Sequence, residues 1–110
     1  MAVLYISPVV ANPPRVRAGG SVLISSEERN AAGTLATAGT STKINLIGPD
    51  GVEALAATSM TADATGKHSY NFATTTAMKC GWYTAEIVTV DSAIPSNVRC
   101  AWLFCIYNEE

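Results

Sequence analysis

Charge is scarce in this chain. Only 15% of the 110 residues are Asp, Glu, Lys or Arg, against a usual share of about 25%. The seven Lys and Arg are scattered and the formal net charge is -2, so no basic field is available for nucleic-acid phosphates. No apolar run approaches the ~18 residues of a membrane span. Neither nucleic acid nor membrane is therefore expected as a partner. The start, MAVLYISPVVA, is apolar but has no basic leader and is interrupted by Pro8; it reads as a first strand, not a signal peptide. Histidine occurs once, at His68. Cysteine occurs three times, at Cys80, Cys100 and Cys105, in a spacing that fits neither a zinc knuckle nor a redox C-x-x-C pair. Free thiols in a reducing compartment are the expectation, with a Cys80–Cys100 bridge as the alternative if their strands are neighbours.

Helical periodicity is missing as well. No segment carries a convincing apolar stripe at helical spacing; ALAATSM is at most a helical turn and ends in strand-like residues. What remains is a period of two. VLYISPVV, SVLIS, TKINLI, KHSYNF, YTAEIVTV and VRCAWLFCI alternate and are rich in β-branched and aromatic residues, the pattern of strands. Turn signals separate them. The prolines of NPP (12–14) split the first strand or extend it. Gly48-Pro49-Asp50-Gly51 offers a proline that presets φ, followed by Asp-Gly. Asp63-Ala64-Thr65-Gly66 reads as a turn in which the aspartate caps backbone amides. Residues 28–42, ERNAAGTLATAGTST, form a low-charge loop or weak strand, and 91–97 a second loop.

Short strands with regularly spaced turns predict an all-β, antiparallel sandwich of about seven strands. One domain spans 1–110, with an N-terminal strand or arm at 1–17 and a long loop at 28–42. Alternation assigns the core to Ile24, Ile44, Leu46, Tyr70, Phe72, Tyr83, Ile87, Trp102 and Phe104. Arg99, Ala101, Leu103 and Cys105 fall on the opposite face of the last strand, where Leu103 suggests a second apolar contact. The low charge leaves two readings open: a Thr/Ser-rich solvated face, or a surface covered by a partner.

Several residues invite a chemical reading. Asp63 and His68 lie five apart, but no nucleophile motif accompanies them, and a turn leading into a strand accounts for both. Asp50, Glu53, Asp63 and Asp91 sit in or near turns without the dense spacing of a calcium loop. Zinc held by His68 and the cysteines requires three separated segments to converge. Trp82, Tyr83 and Trp102 make a sugar-stacking platform only if exposed. No catalytic, metal or cofactor site is assigned.

AGGSVLIS, GTLA, TKINLIGPDG, MTADATGKHSYNF, GWYTAEIVTVD and AWLFCI follow one another in that order. This string resembles the small immunoglobulin-like β-sandwich proteins of tailed bacteriophages and prophages, over roughly residues 18–106. Gly81-Trp82-Tyr83 falls where such domains place a corner tyrosine. Ala85 stands where many carry the second cysteine of an intersheet bridge, so that bridge is not implied. The resemblance implies a non-enzymatic structural or assembly protein without cofactor, associated with capsid, head-tail junction or tail. Its partners would be itself, as a homo-oligomer, or a capsid or tail protein, in a virion assembled in the host cytoplasm. The alternative is an adhesion module that grips a glycan or cell-surface protein with its loops.

Overall fold

In the computed structural model, residues 3, 5–37, 41–91 and 98–108 are described. They form strands and turns, with no helix among them. The strands are β1 (Tyr5–Asn12), β2 (Arg15–Arg17), β3 (Ser21–Arg29), β4 (Ser41–Ile47), β5 (Glu53–Ser59), β6 (Thr61–Ala64), β7 (Lys67–Ala73), β8 (Gly81–Val90) and β9 (Val98–Tyr107). They make two sheets, ordered β1-β3-β7-β6 and β2-β9-β8-β4-β5. All pairings are antiparallel except β2 with β9.

The strands beyond the sequence expectation are short or at an edge. Pro13 and Pro14 divide the first segment, which belongs to one sheet as β1 and to the other as β2. ALAATSM contributes most of β5, an exposed edge strand. Its weak alternation follows from solvent on both faces, which leaves no side of it to be uniformly apolar. The Pro49 turn closes β4 on β5 as expected, with Gly51 N–H donating to Gly48 O at 3.0 Å and Gly51 at φ 82°. The 63–66 turn forms too, but Asp63 does not cap it. Thr37 Oγ1 accepts the Gly66 N–H at 3.0 Å, while Asp63 lies exposed on β6. A threonine from a distant loop fills the role assigned to the local aspartate.

The core lies between the sheets. Ile24, Ile44, Leu46, Ile87 and Phe104 have no exposure, and Phe72 and Tyr83 are buried beside them. Tyr83 stacks on Phe104 at 5.6 Å between ring centroids. Tyr70 packs against this cluster partly buried. Trp102 is a correction, at 51% exposed. Its position by alternation is inward, opposite Ala85, yet β2 flanks only Cys105, Ile106 and Tyr107 of β9. Beyond β2, where β1 lies close to β9 without pairing, the indole lines a surface hollow with Pro14, Trp82, Ala101 and Leu103.

Tyr83 is the corner tyrosine that the sequence pattern implied. Its hydroxyl donates to Lys79 O at 2.7 Å, the short upstream bond of such corners. Burial pushes its phenol above the ordinary value, with the nearby Asp50 charge acting in the same direction. Gly81 starts β8 at φ 137°, and a Cβ there would stand 2.8 Å from Pro49 Cγ. Both backbone angle and space therefore require glycine.

Candidate interaction surface

His68 is buried on β7, and its interior partner is Glu28, a residue that sequence reasoning left at the start of a loop. Glu28 lies instead near the end of β3 with no exposure. Its Oε2 accepts hydroxyl bonds from Thr42 at 2.7 Å and Thr89 at 2.6 Å. His68 Nδ1 lies 2.8 Å from Oε1, in contact but out of line for a hydrogen bond. Thr42 is on β4 and Thr89 on β8, so one carboxyl group ties the two sheets together. Burial without such partners would cost several kcal/mol.

Ser26 adds a residue type that invites an enzymatic reading. It pairs with His68 across β3 and β7, so serine, histidine and glutamate converge. Geometry argues against a triad. Ser26 Oγ makes no hydrogen bond to the imidazole, and Ser26, Glu28 and His68 are 2%, 0% and 7% exposed. A nucleophile needs a bonded base and a path for substrate; here the hydroxyl has neither. Asp63 and His68 both border a hollow of about 360 Å³ on the outer side of this sheet, yet His68 Nδ1 is directed to the interior.

The acidic residues weighed for calcium are not brought together. Asp50 is in the β4–β5 turn, where the Val52 N–H and then Lys79 hold its carboxyl below the ordinary range. Asp63 is on β6 of the other sheet. Asp91 is buried past the far end of β8, accepting the Val3 N–H at 3.1 Å. Among the described residues no three or more His, Cys, Asp or Glu are placed to hold a metal ion. The three thiols are free. The β8–β9 register pairs Trp82 with Cys105 and Ile87 with Cys100. Cys80 is thus about seven residues along the ladder from Cys100, roughly 20 Å away, too far for a bridge.

What the molecule does present is apolar surface at β8 and β9. Trp82, Trp102 and Leu103 are 57%, 51% and 52% exposed. They surround a hollow with Pro14 and Ala101. Trp82 and Leu103 are outward neighbours across the β8–β9 ladder, and Trp102 lines the same hollow. Large apolar groups gathered in this way mark contact surfaces more often than singly scattered ones do. Sequence reasoning placed Leu103 outward; Trp82 and Trp102 were weighed only as a sugar platform or core.

The sheet orders and connections define an immunoglobulin-like β-sandwich of the filamin type. Among solved structures the chain is similar to the Lin-41 filamin domain, with a TM-score of 0.63 and 20% identity over 93% of this chain and 92% of that one. No family model matches the chain, and no curated protein matches it.

Proposed function

We propose that this domain is a non-enzymatic structural or assembly module, working by burial of its β8–β9 surface against another protein chain. The observation that carries this reading is the group of Trp82, Trp102 and Leu103, each more than half exposed around one hollow. Tryptophan at a contact centre contributes more than most residues, because it removes a large area from water with little rotamer entropy to lose. Against enzymatic work stands the buried Ser26–His68–Glu28 group, whose hydroxyl is unbonded to the imidazole. The finer assignment, a phage or prophage component at capsid, head-tail junction or tail, rests on the resemblance of the sequence elements quoted above. Co-sedimentation tests it. The domain should travel with purified capsid or tail proteins, and Trp82→Ala with Trp102→Ala should release it.

Exposed indoles favour a second reading, since sugar faces stack on such rings. On that reading the domain is an adhesion module. Retention on immobilised glycans, lost in the same double variant, together with no co-sedimentation, would replace the assembly role with the adhesive one.

A further inference from the structure

We infer that the β8–β9 surface receives an acidic polypeptide, a segment of a partner chain that seats an apolar side chain in the hollow beside Trp82 and lays carboxylates on Arg15 and Arg17. This partner assignment rests on the reading of that surface as a contact site.

The unpaired charge at this surface is of one sign. In β2 Val16 is buried between exposed neighbours, so it enters the core and Arg15 and Arg17 stand on the outer face of the five-stranded sheet. The register sets Arg15 beside Cys105 and Cys105 beside Trp82, one row across three strands. Arg17 lies in the next row, beside Tyr107. Pro14 ties this end of β2 to β9, its carbonyl accepting the Cys105 N–H at 2.9 Å, and Pro14 itself lines the hollow with the two indoles. The arginines therefore rim the hollow. Arg29, Lys67, Lys79 and Arg99 each lie against a carboxylate, whereas Arg15 and Arg17 have no such partner among the described residues. The Arg15 guanidinium instead rests over the Tyr107 ring, 5.3 Å from its centroid, a contact that steadies it without neutralising it. Glu86, the outward carboxylate of β8, is already taken up by Asn45 and Arg99, each at 3.3 Å.

The lining selects among occupants. Pro14, Trp82, Ala101, Trp102 and Leu103 bring no carboxylate, amide or hydroxyl side chain into the hollow. A neutral sugar stacked on an indole needs such groups for its own hydroxyls, so stacking alone holds it poorly. Nucleic acid needs a field of cations along its phosphates, and the formal net charge of this chain is -2. A peptide segment asks for what is present, apolar cover at the centre and guanidinium forks at the rim that match carboxylates. Tryptophan and arginine are also the side chains that contribute most at protein contacts. Docking on the face of the sheet requires no free strand edge.

A displayed library of random dodecapeptides, selected on the immobilised domain, reads the partner's chemistry before the partner is known. Selected peptides should carry Asp or Glu on either side of an aromatic or aliphatic residue. In fluorescence anisotropy, Arg15→Ser with Arg17→Ser should weaken a selected peptide about fivefold to thirtyfold, as the loss of two rim charge pairs would. Arg15→Lys with Arg17→Lys, which keeps the charge, should lose less and guards against a merely structural effect of the serines. Trp82→Ala should weaken the peptide at least about thirtyfold. Raising salt from about 50 mM to about 500 mM should weaken binding by the wild type far more than by the Arg15→Ser, Arg17→Ser variant. Basic peptides, no selection at all, or acidic peptides indifferent to Arg15 and Arg17 overturn the inference. So does retention of neutral glycans, or a dimer in sedimentation equilibrium that Trp82→Ala dissolves, in place of peptide binding. Uncharged peptides that are lost in Trp82→Ala overturn the acidic assignment alone and leave the contact surface standing. Acidic peptides indifferent to Trp82→Ala remove the contact surface as well.

Discussion

Glu28→Ala should be among the most damaging single substitutions in this domain. The carboxyl group is fully buried and accepts from Thr42 and Thr89, with His68 Nδ1 at 2.8 Å. Truncation removes the acceptor of both hydroxyls, leaving them only their mutual 3.4 Å contact, and takes the carboxyl from beside the imidazole in a site closed to water. An unsatisfied buried polar group costs about 1–3 kcal/mol, and partial relaxation reduces the total, so a loss of about 3–5 kcal/mol is expected. Small domains have about 5–15 kcal/mol altogether. Equilibrium urea unfolding reads the loss directly, and a melting temperature lowered by roughly 12 °C or more accompanies it. The cause is separable from a simple cavity. Thr42→Val, Thr89→Val and His68→Leu made together with Glu28→Met replace the polar set by apolar groups of similar volume. This should recover most of the loss, because no group is then left unpaired. Glu28→Ala within about 1 kcal/mol of wild type would refute the reasoning. Equal losses in Glu28→Ala and the fourfold variant would also refute it, assigning the effect to shape.

The other expectations concern single positions. Trp102→Ala should cost the isolated chain about 1 kcal/mol or less, whereas Phe104→Ala, fully buried against Tyr83, should cost about 3–5 kcal/mol; urea unfolding in dilute solution checks both. Asp63→Ala should stay within about 0.5 kcal/mol, since Thr37 rather than Asp63 caps the turn, while Gly81→Ala should cost at least about 1 kcal/mol through strained φ and the Pro49 contact. Tyr83 should ionise later than its ordinary value of 10.0 because burial disfavours the phenolate. Its share of stability is then whole below pH 10 and drains as pH rises through the folded value, which the tyrosinate absorbance and a parallel unfolding series will show.

Strand identity was legible because burial on one face writes itself into alternation. In SVLISSEER the inward set Val22, Ile24, Ser26 and Glu28 keeps a strict period of two, but its last two members are polar. Hydrophobicity therefore ended the strand early and gave Glu28 to the loop. Extending the period past Ile24 would have placed Glu28 inward; its partners Thr42 and Thr89, 14 and 61 residues away in sequence, carry no local signal at all. Exposed β5 and short β6 have no buried face to write a pattern.

Trp102 exposes a different limit, and it bears on function. Alternation decides which way a side chain points from its strand, not whether another layer lies over it. Alternation puts Trp102 in the inward register of β9, yet its indole lies half exposed at the hollow it shares with Trp82 and Leu103. Cover depends on where β1 and β2 change sheets, and that is fixed by Pro13 and Pro14 far away in sequence. β2 pairs with only the last residues of β9, and β1 lies close along β9 from the other sheet without pairing to it, an arrangement that leaves the indole at the surface. An exposed indole is a group that chains normally cover by burial. The scarcity of charge, ambiguous in the sequence, acquires a location on this view. Arg99 is the only charged residue of β9 and is already engaged by Glu86, so the surface beside it lacks the solvating groups that would keep it apart from a partner.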